Sequence, residues 1–160
     1  MRTAIDTNVL SALWSKEPLA LDVARNLGNA KTDGGLVVAA PVYAELLAYP
    51  KATESFVNGF LADTGIDVDF EFQQSVWVEA GRRFALYANR RRGTARQGVR
   101  RLLADFIIGS HALAQADRLM TLDPKRYSQD FPELKLTWQT GLGGNYKPSR
   151  GAVVRDQLAE

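Results

Sequence analysis

The stretch Arg2-Thr-Ala-Ile-Asp-Thr-Asn-Val-Leu10 decides the fold. Its first half is short and apolar and ends on an acid; its second half begins a helical period. A strand that turns at once into a helix is the opening of an α/β unit, and strand one is read over Arg2 to Asp6. The same order recurs downstream. Leu36-Val-Val-Ala-Ala40 reads as strand two, and Pro41 then opens a helix at its first turn, where the missing N–H costs nothing. Ile66-Asp-Val-Asp-Phe70 alternates as a short strand does. Arg118-Leu-Met-Thr-Leu122 and Leu134-Lys-Leu-Thr-Trp138 read as the last two. Between them, helical spacing runs from Asn8 to about Gly28 in two pieces, with Pro18 able to start the second. It returns over Lys51 to Ala62, Phe72 to Ala88 and Leu102 to Ala116, with Arg90 to Gly98 as a loop or frayed helix end. Strands alternating with helices predict an α/β fold whose central sheet is mainly parallel and has four or five strands.

Four acids fall at particular places in that scheme. Asp6 and Asp123 end strands, Glu45 lies about one turn into the helix after strand two, and Asp105 lies in the first turn of the helix that leads to the strand before Asp123. In open parallel sheets, ligands bind beyond the carboxyl ends of the strands, so the four acids are expected to share one rim. Each has apolar neighbours, as in Leu102-Leu-Ala-Asp-Phe-Ile-Ile108. A desolvated carboxylate costs several kcal/mol unless it is paired or binds a metal, and no cation stands out beside these four. Shared coordination of Mg²⁺ or Mn²⁺, which prefer oxygen donors, is the expected relief. Such an ion can also lower the pKa of a water for attack on phosphorus. Taken singly, Asp6 and Asp123 also suit helix N-caps.

Composition narrows the chemistry. The chain has 160 residues, 46% hydrophobic and 24% charged, as expected for one globular domain. Residues 1–140 carry the periodic pattern; 141–160 form a Gly-rich and then polar tail. The absence of cysteine removes disulfides, zinc thiolates and thiol nucleophiles and fits a reducing cytoplasm. No apolar stretch is long enough to span a bilayer, and the N-terminus is charged too early for a signal peptide. Net charge is +2, yet eight arginines and no acid lie between Arg82 and Arg101. Within that run, Arg90, Arg91, Arg92, Arg96, Arg100 and Arg101 are candidates for gripping a phosphate backbone. The lone His111 is read as structural or surface, and Trp14, Trp77 and Trp138 as packing contacts. Asp33, Asp63, Asp67, Asp69, Asp130 and Asp156 are read as caps and solvated charge, and Glu79 as helix surface.

These motifs carry a family resemblance. Ile5-Asp-Thr-Asn-Val-Leu10 resembles the opening motif of PIN-domain nucleases, and Glu45-Leu-Leu47 resembles their second. Asp105-Phe-Ile-Ile-Gly-Ser-His-Ala-Leu113 resembles the third, and Asp117-Arg-Leu-Met-Thr-Leu-Asp123 with Phe131-Pro-Glu-Leu134 the fourth. The likeness runs from residue 1 to about 138. It implies a three-layer α/β/α fold and a Mg²⁺- or Mn²⁺-dependent ribonuclease similar to VapC toxins of type II toxin–antitoxin modules. It further implies an RNA substrate, a VapB-like antitoxin partner and a homodimer. Position by position, Asp6, Glu45, Asp105 and Asp123 match the family's acidic catalytic and metal-binding residues, and Thr7, Asn8 and Thr121 the supporting polar ones. Alternatives are an RNA-processing or DNA-acting nuclease outside such a module, or a non-catalytic RNA-binding protein. A phosphoacceptor receiver fits poorly, because strand two ends in Ala39-Ala40 rather than an acid.

Overall fold

The computed structural model describes residues 1–16, 18–93 and 100–138. The expected tail at 141–160 lies outside the described residues, as does Arg96. In chain order the elements are β1 (Thr3–Ile5), α1 (Thr7–Trp14), α2 (Leu19–Gly34), β2 (Leu36–Ala39), α3 (Ala40–Leu47) and α4 (Glu54–Thr64). They continue with β3 (Ile66–Asp69), α5 (Gln74–Arg92), α6 (Leu103–Gln115), β4 (Arg118–Met120), α7 (Pro124–Ser128) and β5 (Leu136–Thr137).

All pairings in the five-stranded sheet are parallel, in the order β3-β2-β1-β4-β5. The chain first steps from β1 to β2 to β3 in one direction, then crosses back to β4 and β5. Right-handed crossovers therefore put the two sets of helices on opposite faces, which gives an α/β/α sandwich. A parallel sheet covered on both faces has strands that are apolar throughout, and β1 and β2 are buried along their whole length. Ile5, Val37, Val38 and Leu119 are at most 1% exposed. The order reverses between β1 and β4, so a crevice opens where Asp6 and Thr121 leave the sheet.

Several boundaries differ from the periodic reading, each for a local reason. The second helix passes Gly28 and runs to Gly34, because Val23, Leu27 and Ala30 keep its stripe buried; that packing outweighs the ~1 kcal/mol helix cost of a glycine. α4 starts at Glu54 rather than Lys51, since the Thr53 hydroxyl caps it by accepting from the Phe56 N–H at 3.1 Å. α5 continues to Arg92, as arginines are good helix formers and suit a helix C-terminus. The last strand is shorter than Leu134–Trp138: Leu134 instead joins the core beside Phe131.

α6 is the central helix of its face. It packs on α5 through Phe106, whose ring lies 5.3 Å from Phe84 and 5.4 Å from Tyr87. Gly109 lies under the buried Phe131 ring, and a Cβ there would stand 2.5 Å from ring carbons. Two residues on, His111 is fully buried and its Nε2 meets Asp69 at 2.8 Å. Asp69 also faces Arg2 at 3.5 Å, so it is a partner of charged groups rather than a solvated turn residue. Burial pushes the His111 imidazole below its usual 6.5, and the Asp69 carboxylate opposes that only in part.

Two expected outcomes follow from α6. Gly109→Ala should lower stability by about 1–2 kcal/mol, overpacking against Phe131 outweighing the helix propensity gained. In a Phe131→Leu background the penalty should shrink, as a urea-denaturation double-mutant cycle would show. His111 has a depressed folded-state pKa, so its contribution is complete above about 6.5 and is lost as pH falls toward the folded value. Because it is the chain's one histidine, His111→Gln should flatten the decline in unfolding free energy between about pH 7 and pH 5. An unchanged slope would count against this assignment.

Candidate functional site

The crevice at the order reversal is assembled around Asp6. Its backbone N–H donates to the Met120 carbonyl at 2.9 Å, extending the β1–β4 pairing by one step. Its Oδ1 accepts the Thr7 N–H at 2.9 Å, which makes Asp6 the N-cap of α1. Its Oδ2 accepts the Thr121 hydroxyl at 2.8 Å. One wholly buried carboxylate is therefore both a helix cap and a rim acid.

The polar neighbours tie the rim together. Thr121 Oγ1 donates to Asp6 and accepts from the Asp123 N–H at 3.1 Å and the Asn8 side-chain amide at 3.2 Å. That uses its single donor and both lone pairs. Asn8 Oδ1 in turn accepts the Leu122 N–H at 3.1 Å. Glu45, in the second turn of α3, accepts the Thr7 hydroxyl. Thr7 thus bonds to Asp6 through its backbone and to Glu45 through its side chain.

Asp105 reaches the same rim from the other face. A helix that leads into a parallel strand runs antiparallel to it, so α6 begins where β4 ends. Asp105 is the third residue of α6 and is fully buried, and its Oδ2 accepts the Leu102 N–H at 3.2 Å. Its Oδ1 lies 3.5 Å from Arg126 Nη1. The Arg126 Nε stands 3.6 Å from Oδ2 of Asp123, which is about half exposed. Asp123 precedes α7 without capping it through its side chain.

Arg126 corrects the expectation that no cation accompanies these acids. The signal was its place three residues after Asp123, within reach of it at the start of a helix. The four acids consequently form two linked pairs: Asp6 and Glu45 through Thr7, Asp105 and Asp123 through Arg126, with Thr121 joining the pairs. Among the described residues, no three Asp, Glu, His or Cys side chains stand close enough to hold a metal ion together. The donors suit a hard divalent cation in kind, being carboxylate oxygens at one rim of the sheet.

The basic run has a largely structural set of contacts. Arg83 bonds to Glu79, Glu133 and the Asp130 carbonyl. Arg82 and, secondarily, Arg83 hold the Glu79 carboxyl down at about 2, so Glu79 is an ion-pair hub rather than plain helix surface. Arg90 and Arg101 both pair with Asp130, whose side chain is 2% exposed. Asp130 is thus a buried anchor, not a solvated turn acid. The Arg101 guanidinium also lies 4.7 Å over the Phe106 ring, and that of Arg91 5.9 Å over Tyr87. Arg92 and Arg100 are exposed. Trp14 packs among Tyr49, Phe56 and Phe60, with ring centroids 5.1–5.3 Å away.

Comparison with known proteins agrees with the fold. The PIN domain family profile matches residues 3–131. Among solved structures, the chain is similar to VapBC2 from Rickettsia felis bound to a DNA fragment from its promoter, at TM-score 0.62 and 22% identity, covering 86% of this chain and 98% of that one. VapBC-1 from nontypeable Haemophilus influenzae matches at TM-score 0.57 and 21% identity, over 86% and 97% of the two chains. DNA-bound VapBC from Salmonella typhimurium matches at TM-score 0.57 and 14% identity, again over 86% and 97%. No curated protein matches by sequence. At these identities the structural likeness speaks for the fold.

Proposed function

The chain belongs to the PIN-domain family, and on that premise we propose that it is a divalent-cation-dependent endoribonuclease acting as the toxin of a toxin–antitoxin pair. The observation that carries this reading is the rim itself. Asp6, Glu45, Asp105 and Asp123 come from four separate segments and are linked by Thr7, Thr121 and Arg126 at the switch point of a parallel sheet. That crevice is where such sheets place ligands.

The buried Asp6 and Asp105 are the fixed part of the acidic set, each oriented by a backbone N–H. Glu45 and Asp123 are the more accessible part. When bound, Mg²⁺ or Mn²⁺ supplies a more acidic water and neutralises charge developing at phosphorus. Thr7, Asn8 and Thr121 orient the carboxylates, the support that tunes such sites. The exposed Arg92 and Arg100 add positive potential that attracts an RNA backbone. Among the described residues, no helix is long and apolar enough to cross a membrane; the cytoplasm is proposed as the place of action. The VapBC neighbours support a VapB-like antitoxin as partner, and we assign a homodimer as the working form.

Asp6→Asn keeps a competent N-cap while removing the charge. It should cut Mn²⁺-dependent cleavage of single-stranded RNA by roughly a hundredfold or more, with the far-UV spectrum unchanged. Full activity in the purified variant would refute the reading, and preference for DNA in the same assay would refute its ribonuclease part.

A further inference from the structure

Arg126 is not among the residues that the proposed chemistry uses, yet it touches two of the four acids. Its guanidinium spans Asp105 Oδ1 at 3.5 Å and Asp123 Oδ2 at 3.6 Å. Its side chain is 17% exposed, and Asp105 is wholly buried. A buried carboxylate beside a second one is costly unless a positive charge lies near both. The planar, permanently charged fork of arginine can address two carboxylates at once. The same two carboxylates belong to the set read as the cation site.

We propose that Arg126 is a built-in counter-ion of the acidic rim: its guanidinium neutralises Asp105 and Asp123 and competes with a divalent cation for them. The proposal rests on the reading of the rim as a divalent-cation site. It gives a role to the positive group that stands across two of the four acids. It also makes Arg126 a positioning residue that sets the ion concentration at which the rim fills. The protein then holds its acids in place at low divalent concentration without outside help. A cation entering the rim must draw Asp105 and Asp123 away from the guanidinium or share them with it, and either lowers its apparent affinity.

The test compares Mn²⁺ binding by the wild-type chain, Arg126→Gln, Arg126→Met and Arg126→Lys, by calorimetry and by thermal unfolding in EDTA and across a Mn²⁺ series. Arg126→Gln and Arg126→Met remove the charge in two ways and give independent determinations; Arg126→Lys retains it. The neutral variants should half-saturate at roughly five- to fiftyfold lower Mn²⁺ than wild type, as for the loss of one nearby charge. In EDTA they should melt below wild type, and the deficit should close as Mn²⁺ is added. Arg126→Lys should stay within about twofold of wild type, because the point charge remains. Equal Mn²⁺ midpoints in wild type and neutral variants, or weaker binding in the variants, overturn the proposal and leave the metal reading of the rim standing. No Mn²⁺ response in any of the four proteins overturns both.

Discussion

Everything at the rim depends on one junction, where β1 and β4 run side by side and the sheet order turns back. There the Thr121 hydroxyl donates to Asp6, while the Asp6 N–H closes on Met120. This pairing joins positions 115 residues apart. It fixes where α1 starts, because Asp6 is also the cap. It also places Asp123 two residues past the Thr121 anchor. If the junction shifted by one residue, the side chains at the strand ends would exchange faces, and Asp6 and Thr121 could no longer meet.

Buried acids are the second constraint. Asp6, Asp105 and Asp130 are all taken out of water, and the protein handles each differently. Asp6 is satisfied by hydrogen bonds from a backbone N–H and a hydroxyl. Asp105 takes one N–H and a shared guanidinium. Asp130 takes two arginines. Only the last is held by two arginines at once.

The strand-and-helix alternation was legible because a parallel sheet buried on both faces writes its strands as apolar runs, as in Leu36-Val-Val-Ala39. The acids at strand ends were legible for the same reason, since the end of an apolar run is the end of a strand. Helix ends were less so: the stop expected at Gly28 did not account for Ala30, whose burial comes from packing and not from local preference. Arg126 and Asp130 were missed because their roles arise from tertiary neighbours. Asp130 meets arginines 29 and 40 residues away, and nothing in Ser128-Gln-Asp130 signals burial. Asp105 was placed by pattern; the geometric reason, a helix running antiparallel to the strand it feeds, needed the topology.

The double grip of Asp130 has an architectural effect. Arg90 near the end of α5 and Arg101 just before α6 hold the same carboxylate, so the chain leaves and returns through one clasp. Helix α6, and with it Asp105, is registered by that clasp and by Gly109 against Phe131. Loss of either arginine would therefore loosen the seat of Asp105 as well as the start of the helix that carries it.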